Sequence, residues 1–413
     1  EQGGWKTILV DTQEDAGIVA GAHRGLAAIV FGIEGASRDP EALKRIVGQL
    51  RAVHDRAPGL PIVALGESAA IEGRSPQVVE ALRQLHSILY LYEDTPSFLA
   101  RQITRAAADY LDQLLPPFFK ALTHHAERSA YSWHTPGHAG GVGFLKSPVG
   151  YALHSFFGEN TVRSDLSVSV PELGSLLDHT GPVKEAEAYA ARVFGADHTY
   201  FVTNGTSTAN KIVWHSMAGR DDLVIVDRNC HKSLLHSLIM TGATPIYFTP
   251  ARNDYGIIGP IGLDQFSPEA IKKKIAASPI ARHAKGSVRI AVVTNSTYDG
   301  LCYNAEKIKA EVADQVDALH FDEAWYAYAA FHEFYAGRHA MGVPRGHPRA
   351  DHTLVFATQS THKLLAAFSQ ASMIHIQESD KRKIDTTRFN DAFMMHGSTS
   401  PHYGIMASLD VSS

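Results

Sequence analysis

Cysteine is almost missing from this chain: of 413 residues, only Cys230 and Cys302 carry a thiol. Two are too few for a disulfide framework or a structural zinc site, and a reducing cytoplasm is the expected home. Long apolar runs are missing too. None approaches the ~18 consecutive apolar residues of a membrane span, and the opening residues do not read as a secretory leader. Neither sign of charge dominates: 38 Lys and Arg stand against 43 Asp and Glu, a formal charge of -5. That balance argues against a broad basic footprint for nucleic acid or an anionic membrane. With 33 Gly and 19 Pro the chain is not low-complexity, and its 45% hydrophobic residues suffice for a core. These absences leave a folded chain, long enough for one large domain and at least one smaller one, whose ligand is expected to be small.

The first hundred residues alternate short apolar runs with helical patterns. Ile8 to Asp11, beginning in the strand-like Thr7-Ile8-Leu9-Val10, then Leu26 to Glu34, Leu60 to Glu67 and Ile88 to Asp94 read as strands, with helices over Pro40 to Val53 and Ser75 to Leu85. Strands spaced by helices imply a parallel, doubly wound sheet. A signalling receiver would need a phosphoacceptor Asp after its third strand and a Lys after its fifth. Neither is evident, so residues 1-94 are expected to be a structural, flavodoxin-like module. An amphipathic pattern from Pro96 to about Glu127, broken at Pro116-Pro117, reads as linker helices across 95-130. From Tyr131 onward seven strand-like runs follow: His198 to Thr203, Leu223 to Asp227, Thr244 to Phe248, Val288 to Thr294, Ala318 to Asp322, Thr353 to Thr358 and Ser372 to Ile376. They predict one large α/β domain over 131-413. The chain begins without an initiator Met and stops soon after the apolar Gly404-Ile405-Met406-Ala407, and we read it as a fragment or as the ordered part of something longer.

Four segments of the large domain end strands in polar residues suited to one small anionic aromatic ligand, and ligands of open α/β sheets bind at those carboxyl edges. In Thr203-Asn204-Gly205-Thr206-Ser207-Thr208, Gly205 lets the backbone approach a phosphate, Thr206 and Ser207 offer hydroxyls, and the following helix supplies free N–H groups. Taken alone, that segment is better explained as a Thr- and Ser-rich helix cap. In Ser360-Thr361-His362-Lys363, a strand-end lysine is suited to bond an aldehyde cofactor, because partial burial lowers its pKa. In Leu319-His320-Phe321-Asp322-Glu323-Ala324-Trp325, Asp322 could keep a pyridine nitrogen protonated, or simply cap a helix. In Val226 to Ser233, His231 could stack on a cofactor ring. Each segment has a bland explanation. All four together would be a coincidence.

The sequence resembles the bacterial fold type I, pyridoxal-phosphate-dependent decarboxylases of ornithine, lysine and arginine. The likeness runs over essentially the whole chain and is strongest in Tyr131-Ser132-Trp133-His134-Thr135-Pro136-Gly137-His138, Phe157-Gly158-Glu159-Asn160-Thr161, Asp165-Leu166-Ser167, Thr203 to Lys211, Phe321 to Trp325 and Ser360 to Lys363. It is nearest the constitutive lysine/arginine branch, which has an N-terminal wing domain, a linker, a cofactor domain of the aspartate aminotransferase type and a C-terminal domain. The resemblance implies pyridoxal 5'-phosphate as cofactor, with Lys363 as its covalent attachment, Asp322 as the pyridinium partner and His231 on the ring. It implies phosphate binding by Thr206, Ser207, Ser360 and His362, and a pocket lined by Trp325. It places the sites at a homodimer interface, where Ser398 and Thr399 would complete the neighbour's phosphate site, and it gathers dimers into a decamer through their wings. The family's C-terminal domain, with residues that read the substrate side chain, would lie beyond Ser413.

The reaction class follows from the electron sink. Breaking the bond from Cα to the carboxylate releases carbon dioxide, and a proton returned to Cα, from Lys363 or His362, leaves an amine. Lysine is the expected substrate, then arginine, then ornithine. Two other readings stay open at this point: an aminotransferase using the same lysine, aspartate and phosphate cup, and a catalytically inactive scaffold. A metalloenzyme is not expected, because Phe331-His332-Glu333-Phe334 continues to Arg338-His339 without H-E-x-x-H spacing.

Overall fold

The computed structural model describes residues 5–11, 13–23, 25–32, 48, 55, 57–68, 85–128, 131, 133–167, 170–284, 287–312, 315–342 and 353–413. The chain divides into two compact units, Glu1–Leu115 and Pro116–Ser413. Among the described residues no helix is long and apolar enough to cross a membrane.

In the first unit, helix α1 (Gln13–Ala22) precedes strands β1 (Ile29–Gly32), β2 (Ile62–Gly66) and β3 (Ser87–Tyr90) and helix α2 (Pro96–Leu114). The strands pair in parallel in the order β1-β2-β3. Val63 and Leu89 pack against Leu99 and Ile103 of α2, which starts cleanly because Thr95 Oγ1 accepts the Phe98 N–H at 3.3 Å and Pro96 sits in its first turn. The expected strand over Ile8 to Asp11 does not form. Among the described residues no neighbour pairs with this run, and Leu9 is 89% exposed. The expected helices over Pro40 to Val53 and Ser75 to Leu85 lie, apart from Gly48 and Leu85, outside the described residues.

The second unit opens with helices α3 (Pro117–Glu127), α4 (Pro148–Phe157), α5 (Glu159–Arg163) and α6 (Gly181–Val193). Strand β4 (His198–Val202) leads into α7 (Thr206–Met217), β5 (Leu223–Asp227) into α8 (Lys232–Thr241), and β6 (Thr244–Phe248) into α9 (Pro268–Ala277). Strand β7 (Val288–Thr294), helix α10 (Ala305–Val312), strands β8 (Val316–Asp322) and β9 (Leu354–Gln359) and the single turn α11 (Thr361–Leu364) follow, then β10 (Ser372–Gln377), α12 (Thr386–His396) and α13 (Tyr403–Val411). The seven strands lie in the order β4-β10-β9-β8-β7-β5-β6. Only β10 runs antiparallel to its neighbours; the other pairings are parallel. All seven expected runs are strands, shifted by a residue or two at some ends.

These strands read as continuous apolar runs because the sheet is covered on both faces. Alternate residues serve two separate cores. Ile290, Val292, Ala318 and Phe356 join Trp214 of α7 on one side, while Ala291, Val293, Leu319 and Phe321 join Phe248 and Phe266 on the other. Trp214 is fully buried, and truncating such a side chain to alanine typically costs about 3–5 kcal/mol. The period of two therefore puts His320 and Asp322 on the face covered by α7, and Glu323 on the opposite one.

Candidate active site

The parallel arrangement brings the carboxyl ends of β4, β5, β8 and β9 to one edge, and four of the polar segments singled out above meet there. After β4 the backbone turns through Gly205, whose φ of +76° puts it in the left-handed region and whose α-hydrogen side faces open space. No side chain caps α7, which starts at Thr206. Its first N–H groups are therefore left for an anion. Thr206 Oγ1 lies 2.7 Å from Ser360 Oγ and 3.2 Å from Ser372 Oγ, tying the helix start to the end of β9 and the beginning of β10. Ser207 is half-buried in the same first turn. Thr361 Oγ1 is buried without a hydrogen-bond partner.

Lys363 is carried by α11, immediately past the end of β9, with its N–H on the Ser360 carbonyl at 3.0 Å. Its Nζ sits 4.0 Å from the centre of the Trp325 ring, which both orients the amine and shields it from water. Burial pushes its pKa below the ordinary lysine range, and Asp322 opposes that shift. His362 gives its Nδ1 proton to the Ala371 carbonyl at 2.8 Å, which leaves its Nε2 without a proton when the ring is neutral.

Asp322 ends β8 and is 2% exposed. Its Oδ2 accepts from Asn210 Nδ2 at 3.1 Å and its Oδ1 from the Ala324 N–H at 3.3 Å. Burial pushes its pKa up; the Asn210 bond is the largest opposing influence, followed by His231, the Ala324 bond and Lys363. A cation placed before this carboxyl would return it to the charged form. The helix-cap explanation fails, since a turn and the short 3₁₀ segment Ala327–Phe331 follow. His231 stands at the N-cap of α8, where Nδ1 accepts the Ser233 N–H at 3.2 Å and lies 2.8 Å from Ser233 Oγ. Burial lowers its pKa, against the pull of Asp322.

Lys363, Asp322 and His231 thus act on one another electrostatically at one sheet edge, with the Thr206–Ser360 cradle bonded across it. Ser398 and Thr399 are not part of this cluster: both are exposed in the loop after α12, and Ser398 Oγ accepts the Ser400 N–H at 3.1 Å. Sequence reasoning passed over Asn210, Ser233, Thr358 and Ser372. A buried polar residue inside an apolar strand or helix was the available signal for them.

A doubly wound sheet whose carboxyl edge gathers a half-buried lysine, a buried aspartate and an uncapped helix start has the architecture of the fold type I enzymes. Residues 116–413 match the model of the Orn/Lys/Arg decarboxylase major domain, and residues 1–110 match its N-terminal domain. The chain belongs to the Orn/Lys/Arg decarboxylase family. It is 64% identical over 413 residues to the lysine decarboxylase LdcA of Pseudomonas aeruginosa, covering 100% of this chain and 55% of the relative. It is 44% identical over 411 residues to the biodegradative arginine decarboxylase of Escherichia coli, covering 98% and 53%. The solved lysine decarboxylase A from Pseudomonas aeruginosa superposes with a TM-score of 0.86 at 64% identity, covering 100% of this chain and 55% of that one. The chain spans about half the length of the curated relatives it matches.

Proposed function

We propose that the protein binds pyridoxal 5'-phosphate in this cup and decarboxylates a basic L-amino acid with uptake of one proton: lysine to cadaverine first, arginine to agmatine next, ornithine third. The observation that carries the reading is the meeting of Lys363, Asp322, His231 and the open α7 start at one sheet edge. The donor set fits the group: a cradle without a Cβ at Gly205 for a phosphate, an amine of lowered pKa for an aldehyde, and a buried carboxyl that a pyridinium would keep charged. When bound, the cofactor supplies an electron sink beside the substrate's Cα. Gly205 would let a phosphate approach the Thr206 and Ser207 N–H groups, and Thr206, Ser207 and Ser360 would offer hydroxyls. His362, whose Nδ1 proton is on the Ala371 carbonyl, would add a donor at Nε2 only with a second ring proton. His231 would lie against the ring, and Asp322 would hold a proton on the ring nitrogen. Trp325 lines the pocket and excludes water. Lys363 would form the covalent tether and is a candidate to return the proton to the substrate Cα, as is His362 when its Nε2 carries a proton. Lysine is favoured because the 64% identical relative is a lysine decarboxylase.

Mass spectrometry of the products formed when the full-length protein is offered all three amino acids together tests the reading. Cadaverine should dominate, with carbon dioxide released in equal amount and no keto acid required. Amine formation that depends on an added keto acid would instead mean transamination, and absence of both product and cofactor absorbance would mean a scaffold.

Assembly belongs to the same proposal. On α4, Val149, Tyr151, Phe156 and Phe157 are exposed, Phe156 by 83%, a patch that a second copy would cover. We infer a homodimer with shared sites, in which Ser398 and Thr399 serve the neighbour's phosphate, and a decamer of such dimers held by the wing at 1-94. Light scattering on the full-length protein and on a version beginning near Ser129 should read a decamer and a dimer respectively. An active monomer would sink the shared site, and a decamer that survives removal of the wing would sink the wing's role. Both thiols, Cys230 and Cys302, are free, which supports a reducing compartment such as the cytoplasm.

A further inference from the structure

Helix α7 lays Thr206, Asn210 and Trp214 on the sheet at i, i+4 spacing, so the three form one stripe. All three are buried, Asn210 and Trp214 completely. Their hydrogen bonds run in a single direction, which can be followed from Trp214. An indole N–H only donates, so its 3.3 Å bond makes His320 Nδ1 an acceptor. Burial pushes this imidazole down to about 3, so it is neutral and carries its proton on Nε2. That proton goes to Thr358 Oγ1 at 2.9 Å, and Thr358 donates its own hydroxyl proton to Asn210 Oδ1 at 2.7 Å. The amide is thereby fixed: its oxygen faces Thr358 and its two protons face away. One goes to Asp322 Oδ2 at 3.1 Å, the other to Ser233 Oγ at 2.9 Å. Ser233 then donates to His231 Nδ1 at 2.8 Å, the nitrogen that also accepts its backbone N–H.

We propose that Asn210 is the positioning residue of the site: one amide, locked by Thr358, holds the carboxylate at the ring nitrogen and the imidazole on the ring face in a fixed mutual arrangement. The inference rests on the cofactor reading above. It follows from bond direction, since an amide turned over would aim its oxygen at the Asp322 carboxylate and withdraw both donors at once. Asp322 would then lose the strongest influence keeping it charged in a buried place, and a neutral acid cannot hold a proton on a pyridine nitrogen. Thr358 controls this from a distance, because its hydroxyl bonds neither Asp322 nor His231.

The test uses full-length protein loaded with pyridoxal phosphate carrying nitrogen-15 in its ring, and solid-state NMR to read whether that nitrogen holds a proton. Borohydride trapping at Lys363 checks that each variant is loaded. Wild type and Thr358→Ser should both show the protonated ring. Thr358→Val, which keeps the shape but not the hydroxyl, and Asn210→Ala should shift toward the unprotonated signal. In both, kcat should fall roughly tenfold or more, the effect of one lost hydrogen bond to a charged group, with KM little changed. A protonated ring in Asn210→Ala overturns the role given to Asn210. Should that variant fail to load, identical ring signals in Thr358→Val and Thr358→Ser overturn it instead. An unprotonated ring in wild type is a different failure, of the cofactor reading and its Asp322 contact, and is recognised by appearing before any substitution is made.

Discussion

Lys363→Ala should abolish turnover and the visible absorbance of the lysine-bound cofactor together. On the proposed reading, the substitution removes two things at once, the tether for the cofactor's aldehyde carbon and a candidate donor for the proton that Cα must regain. Losses of this kind reach roughly 10⁴-fold or more. Position makes the residue hard to replace, because α11 is a single turn pinned between the end of β9 and the beginning of β10, with the amine resting over Trp325. Lys232, the other lysine that acts on His231, follows it directly on α8 and is exposed. Reduction of the loaded wild-type protein with borohydride, followed by peptide mapping, should put the label on the peptide that contains Ser360 to Lys363. Label on any other lysine would overturn the assignment.

Asp322→Asn should separate binding from chemistry. Shape and most contacts survive, so the cofactor should remain bound with its absorbance band displaced. The rate should nevertheless drop by several orders of magnitude, because an amide cannot hold a proton on the ring nitrogen as an anion does. Binding measured by absorbance titration and turnover measured by carbon dioxide release give the two halves of the result. Near-normal decarboxylation by this variant would mean that another acid faces the ring, and Glu323 would not serve: it lies on the opposite sheet face, bonded to Asn295, Gln359 and the Ala340 N–H.

The parts legible in the sequence share a physical cause. Leu223 to Asp227 is five buried residues in a row, and a strand covered on both faces can hardly be written otherwise, so the large sheet stood out. Gly205, Asp322 and Lys363 stood out as candidates because each lies in a polar segment that follows or ends an apolar run at the edge where ligands bind. The first unit was less legible. Ile8, Leu9 and Val10 have strand composition but find no pairing neighbour among the described residues, and pairing is a property of the sheet, not of the segment. Helix α1, with the sequence QEDAGIVAGA, places Gly and Ala where an apolar stripe would announce it, and went unread. Asn210 was quoted within its motif yet given no task, since nothing local tells a bonded asparagine from a solvated one. Its role depends on Thr358 and Ser233, which other strands and helices deliver.

Asp322 and Thr358 are register partners across β8 and β9, and this lateral pairing has a bearing on how such a chain can change length. Insertions in the long stretch joining the two strands leave the carboxylate and the lysine where the sheet puts them. An added residue between Gln359 and Lys363 is another matter, for on a helical turn it swings the amine by about 100° and carries it off the Trp325 ring. Homologous chains can therefore drift in size across the first interval, while the second has to be counted residue by residue.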